Sequence, residues 1–135
     1  MHSFRLRVLA AERVFYEGEC LSLTVPTLDG YYGIMANHEN VVIAIVPGLM
    51  TLHTGDGEEQ IAAVSEGMLK VENNEALLLV DTAEHPEEID LRRAEETAAQ
   101  AREELHEKHS AQEHALALAR MSRAISRAQV KRRGK

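Results

Sequence analysis

The chain has little from which several common kinds of protein are built. Its single cysteine, Cys20, closes no internal disulfide, which excludes a disulfide scaffold and leads us to expect a reducing compartment. It has no tryptophan, no glycine between residues 68 and 133, and no proline after Pro86. The longest apolar run, Val41 to Val46, stops at Pro47. A membrane-spanning helix needs roughly 20 apolar residues, so none is expected. Nor is a secretory leader, because Met1-His2-Ser3 leads straight into alternating residues. No GxxxxGK[ST] phosphate loop occurs, which excludes nucleotide hydrolysis at a Walker-type site. His106-Glu107-Lys108-His109 falls one residue short of the HExxH spacing of zinc enzymes and reads as a solvated hairpin tip. No catalytic group, metal site or required cofactor is expected.

What is present divides at one junction. Up to His85 four cations stand against thirteen acids, and from Pro86 to Glu113 four stand against nine. From His114 onward there are seven cations and no acid, within a net charge of −7. The basic end could bind nucleic acid, as in a free-standing adaptor, but the acidic segment before it is the nearer partner. No nucleic acid is expected.

Before the junction the apolar residues alternate with period two. Phe4, Leu6 and Val8 share a face, as do Leu21, Leu23 and Val25 before Pro26. The unbroken run Val41 to Val46 predicts a strand covered on both sides. Leu49 to Thr54 and Gln60 to Val64 flank Gly55-Asp56-Gly57, a hairpin signal. Met68 to Glu72 and Glu75 to Ala83 flank Asn73-Asn74, and Asn tolerates positive φ. Many short strands with no helix between them predict a β-sandwich or barrel.

After the junction the pattern is helical. His85 or Asp90 is a candidate cap, and Pro86 followed by Glu87 and Glu88 suits a first turn at the positive end of the helix dipole. Leu91, Ala94, Ala98, Ala101 and Leu105 form one seam; Leu118, Met121, Ile125 and Ala128 form a second. Ser110 and Glu113 have capping-box spacing after a short polar break, which predicts two antiparallel helices. The first is acidic and the second basic, so they are expected to pair with each other. Alanine-rich seams bury little area, so the hairpin should be only moderately stable.

Two features are candidates for binding. Between Leu28 and His38, paired tyrosines Tyr31 and Tyr32 lie beside two glycines, either projecting toward a protein partner or packing under the turn. Arg120, Arg123, Arg127 and Lys131 share one helix face. They form either a solvated face balanced by Glu95, Glu96, Glu103 and Glu104, or an anion site, since guanidinium groups clamp phosphate oxygens.

Together these residues resemble the epsilon subunit of bacterial F-type ATP synthases. The opening Leu6-Arg7-Val8 through Val14-Phe15-Tyr16-Glu17-Gly18-Glu19 is similar to that family's. So are Asp29-Gly30…Gly33-Ile34…His38, Pro47-Gly48, Ala63-Val64-Ser65-Glu66-Gly67 and Asp81-Thr82-Ala83-Glu84. This chain has Ala36-Asn37 where the family usually has Pro-Gly before the loop histidine, and Glu66-Gly67 where a Gly-Gly pair is usual.

The resemblance implies an N-terminal antiparallel β-sandwich over residues 1–85 and a C-terminal antiparallel two-helix hairpin over 86–135. It implies a non-catalytic central-stalk subunit on the cytoplasmic side of the bacterial cell membrane, attached to the membrane only through the complex. Its partners would be the gamma subunit, the ring of c subunits and, with the hairpin extended, the catalytic alpha/beta head. It would couple proton flow to ATP synthesis and restrain ATP hydrolysis. Asp29, Tyr31, Tyr32 and His38 fall where the family faces the c-ring or gamma, with Tyr31 where relatives often carry an acid.

Some bacterial members bind ATP as a regulatory ligand through an I/L-D-x-x-R-A motif and second-helix arginines. Ile89-Asp90-Leu91-Arg92-Arg93-Ala94 matches it here. Glu84 stands at the preceding acid, Arg123 and Arg127 match the arginine pair, and a further basic position is Gln100. The resemblance therefore implies an ATP site of Glu84, Ile89, Asp90, Arg93, Ala94, Arg123 and Arg127, in which Glu84 and Asp90 accept from the nucleoside or orient Arg93. The alternative is a free-standing ATP-binding sensor or adaptor.

Overall fold

A computed structural model describes residues 2–105 and 111–134. The strands are β1 (Phe4–Ala10), β2 (Arg13–Thr27), β3 (Gly30–Met35), β4 (Val41–Ile45), β5 (Gly48–Thr54), β6 (Glu59–Val64), β7 (Gly67–Glu72), β8 (Glu75–Val80) and β9 (Ala83–Glu84). A 3-10 turn (Pro86–Glu88) follows, then helices α1 (Leu91–Leu105) and α2 (Ala111–Arg133).

The strands are hydrogen-bonded in the order β4-β7-β8-β1-β2-β5-β6-β9, with β3 also on β2. Every pair is antiparallel except β1 with β8. β2 runs on through Pro26. Its first half pairs with β1 and its second half with β3 and β5, so it carries the sheet from one layer of the sandwich to the other. Register shifts at Val8/Leu9 and Cys20/Ser22 accompany that passage, as bulges do where strands bend between layers.

The alternating residues fill the space between the layers. Phe4, Leu6 and Val8 of β1 join Leu23, Val25, Met50, Leu52, Leu69 and Leu78 in one buried cluster. Each such Leu side chain contributes about 1.5–3 kcal/mol. Cys20 is buried among them, and burial pushes its thiol pKa up to about 11, so it stays protonated at neutral pH. Asn73 and Asn74 take the left-handed backbone (φ 53° and 63°) and close the β7–β8 hairpin.

Three strand and helix expectations need correction. The Val41 to Val46 run is not covered on both sides: β4 is an edge strand, with Val42 62% exposed. The Glu75 to Ala83 run breaks after Val80. Asp81 and Thr82 donate to and accept from Ala11, Glu66 and Ser65, which turns the chain so that β9 pairs with β6 instead. Both candidate caps are used, for different elements. The His85 N–H donates to the Glu88 carboxylate at 2.8 Å and starts the 3-10 turn. Asp90 Oδ1 accepts from the Arg93 N–H at 3.1 Å and caps α1. Glu87 and Glu88 therefore lie in the 3-10 turn, outside the first turn of α1.

Arg132 near the end of α2 meets Glu95 near the start of α1 at 2.7 Å, so the helices are antiparallel. Ala94, Ala98 and Ala101 are buried along α1 as expected. On α2 the buried line is Ala117, Ala124 and Ala128; Leu118 is 41% exposed and Met121 and Ile125 are half-buried. The reason is that α2 has neighbours on two sides. It packs on α1 and also on β5, β6 and the 3-10 turn. Val130 is buried with Ala63, Ile89 and Leu49. The tip residues His106 to His109, and Ser110 of the proposed capping box, lie outside the described residues.

Candidate functional site: a cavity between sandwich and hairpin

Between the sandwich and α2 lies a cavity of about 720 Å³. One wall is the exit of the sandwich, where the β1–β2 turn, Ser65, Asp81, Thr82 and Glu84 come together. The facing wall is α2, which presents Arg120, Arg123 and Arg127, and α1 adds Thr97. Helical spacing aligns the arginines, and the docking of α2 on β6 turns that row toward the sandwich.

Two arginines of the stripe, Arg123 and Arg127, pair with the sandwich and not with α1, where the charge pattern led us to expect their partners. Arg127 donates from Nε and Nη2 to both oxygens of Glu84, at 2.6 and 3.0 Å. Arg123 donates to Glu66 at 2.9 Å. Arg132 and Glu95 do pair across α1 and α2. Glu84 and Glu66 sit where β9 pairs with β6 and where β7 begins, close to α2.

These pairs do not exhaust the guanidiniums. A guanidinium carries five N–H donors. Arg127 Nη1 and most of Arg123 remain available to a further acceptor, so the acids orient the forks and leave their outer edges for an anion.

Arg13, the first residue of β2, also lines the cavity. It donates from Nη1 and Nη2 to Glu88 at 2.8 and 2.7 Å, and from Nη2 to the Ala83 carbonyl at 2.6 Å. Its guanidinium lies over Phe15 at 5.7 Å, and Phe15 stacks on His85 at 4.2 Å. This cluster ties the junction to the sandwich. The Arg13 hydrogen bonds, helped by the His85 N–H, lower the Glu88 pKa to about 2. Because the folded value is depressed, the clamp's stabilisation is fully present above the ordinary carboxylate pKa of about 4.5. It is lost as pH falls toward about 2. Melting curves of the parent and Glu88→Gln proteins should therefore differ at neutral pH, with the variant less stable, and converge on acidification across that window.

The residues expected to form a site fall into three groups. Glu84, Arg123 and Arg127 line the cavity. Ile89 and Ala94 are buried, Ile89 against Val130, and Asp90 caps α1. Arg93 is exposed, lines no described cavity, and is not the group that Glu84 orients. Asp29, Tyr31, Tyr32 and His38 line none of this cavity: the first three belong to the β2–β3 hairpin and His38 follows β3. Tyr31 is 64% exposed, whereas Tyr32 is half-buried and its hydroxyl lies 3.0 Å from His38 Nε2. His38 Nδ1 donates to the Glu39 carbonyl at 2.7 Å, so the neutral ring accepts at Nε2 from Tyr32. Tyr31 thus projects from the turn, and Tyr32 packs beneath it.

Sequence reading missed Arg13, Glu66 and Glu88. Arg13 and Glu88 are 75 residues apart, and no local spacing marks the pair. The only available signal was the scarcity of cations in the first half of the chain, where Arg13 is one of four.

Residues 3–86 match the family described as ATP synthase, Delta/Epsilon chain, beta-sandwich domain. The ATP synthase epsilon chain of Ruminococcus albus is 38% identical, with 96% of this chain and 97% of that one covered. That of Caldicellulosiruptor bescii is 39% identical over 94% and 92%. That of Clostridium novyi is 41% identical over 78% and 81%. Among solved structures, the fold matches a chain of the Euglena gracilis mitochondrial ATP synthase OSCP/F1/c-ring assembly with a TM-score of 0.81. That match has 17% identity and covers 92% of this chain and 78% of that one.

Proposed function

The chain belongs to the ATP synthase epsilon-chain family, and on that premise we propose that its sandwich engages the rotor while its hairpin regulates ATP hydrolysis in response to nucleotide. It is a non-catalytic subunit of the synthase's central stalk. No helix among the described residues is long and apolar enough to cross a membrane. In this reading the complex holds the chain at the cytoplasmic membrane surface. Residues 1–85 bind the gamma subunit and the c-ring, with Asp29, Tyr31, Tyr32 and His38 at the contact. Residues 86–135 restrain hydrolysis by extending toward the catalytic alpha/beta head.

The observation that carries the regulatory part is the way the hairpin is held. Polar and ionic contacts, with one small apolar cluster, fasten it to the sandwich: Arg127–Glu84, Arg123–Glu66 and the packing of Ile89 and Val130 with Ala63 and Leu49. Partly exposed ion pairs each contribute little, so such an interface can release. The same arginines face a cavity that suits a polyphosphate. ATP bound only to the folded hairpin would stabilise it by about 2.7 kcal/mol at a hundredfold excess over Kd, enough to shift a marginal equilibrium. No required cofactor enters this account; ATP acts as a regulatory ligand.

Affinity purification of the tagged full chain under native conditions tests the stalk role. The gamma subunit is expected in the eluate at equal stoichiometry, and its absence would contradict the role.

A further inference from the structure

We propose that Arg13 of the sandwich is a phosphate contact of the nucleotide site, so that the site is complete only while the hairpin lies on the sandwich. This rests on the nucleotide reading given above and specifies how that site would report hairpin position.

The sandwich wall of the cavity carries three acids, Glu12, Asp81 and Glu84, and a single cation, Arg13. Without Arg13 that wall would repel a triphosphate held by Arg123 and Arg127. With it, guanidiniums face the cavity from both sides. Arg13 is also pre-positioned. Glu88 and the Ala83 carbonyl occupy both Nη2 hydrogens and one on Nη1, and Phe15 lies beneath the guanidinium plane. The Nε–H and the second Nη1 hydrogen are left for another acceptor. A fork held in this way loses little freedom on meeting a phosphate, and a charge-assisted contact of this kind is among the stronger hydrogen bonds.

The consequence is thermodynamic. A ligand held by α1 and α2 alone would travel with the hairpin, bind the folded and extended states equally, and shift nothing however tightly it bound. A ligand that also touches Arg13 binds the folded state better, and that difference biases the hairpin. Arg13 comes from an element that stays with the sandwich, so it supplies the difference.

Calorimetric titration of the full-length protein with ATP and with AMP, using parent, Arg13→Gln and Glu88→Gln proteins, tests the proposal. Arg13→Gln should weaken ATP binding roughly tenfold or more and AMP binding much less, because the lost partner contacts the distal phosphates. Glu88→Gln loosens the clamp but keeps the guanidinium, so it should weaken ATP binding clearly less than Arg13→Gln does. If Arg13→Gln binds ATP as the parent does, or if the two variants lose affinity equally, Arg13 is not a contact and the proposal fails alone. If the parent takes up no ATP at millimolar concentration, the nucleotide reading fails and the contact with it.

Discussion

Gly67→Ala is expected to lower the melting temperature of the chain by roughly 10 °C or more, corresponding to a loss of about 3 kcal/mol or more. Gly67 opens β7, where its strand pairs with both β4 and β8. A Cβ built there would lie 1.9 Å from the Leu79 carbonyl oxygen and 2.8 Å from the Val80 Cα. Both are backbone atoms in the central ladder, so no side chain can turn aside to make room. Gly33→Ala is the control. Nothing lies within 4 Å of a Cβ at that position, so the substitution should be nearly neutral. Thermal denaturation of the two variants separates the close approach at Gly67 from a general effect of losing glycine. Equal melting temperatures would contradict the strand packing described here.

Arg127→Ala is expected to weaken ATP binding by roughly ten- to a hundredfold and to loosen the hairpin as well. Arg127 is the most buried of the sandwich–hairpin arginines whose ion pairs are described, with side-chain exposure of 30% against 24% for Glu84. Removing it leaves the Glu84 carboxylate half-buried and without its fork, which costs more than an exposed pair would. Arg127→Lys should recover the charge but not the two-pronged contact, and so should fall between parent and alanine variant. Calorimetry reports the binding effect and limited proteolysis reports the loosened hairpin. An alanine variant indistinguishable from the parent in both would remove Arg127 from the site and from the interface.

Much of the sandwich was legible because its signals are local. Phe4, Leu6 and Val8 alternate over five residues and are buried together. Asn73-Asn74 closes a hairpin because both residues take positive φ. Errors arose where a neighbour distant in sequence decides the outcome. Val42 is apolar but sits on an edge strand, and no pattern within Val41 to Val46 says which strands lie beside it. Likewise, the Arg120 to Lys131 stripe is evident from spacing, but its partners are not. Charge balance pointed to the glutamates of α1, whereas Arg123 and Arg127 reach Glu66 and Glu84, 57 and 43 residues away. Glu66 occupies a position where the family resemblance leads one to expect glycine. The departure is an ion partner for α2, while the glycine that packing requires, Gly67, is kept. Three of the seven residues of the expected nucleotide set, Glu84, Arg123 and Arg127, form part of a cavity wall. The other four, Ile89, Asp90, Arg93 and Ala94, are spent in this conformation on burial and capping or lie at the surface.

The central claim is that the folded hairpin is the state nucleotide stabilises. Amide hydrogen exchange of the full chain, measured with and without ATP, addresses it most directly. At ATP a hundredfold above Kd, amides of α1 and α2 should exchange roughly a hundredfold more slowly, while those of β1, β2 and β8 should not change. Saturating ATP that leaves the exchange of both helices unaltered would contradict it.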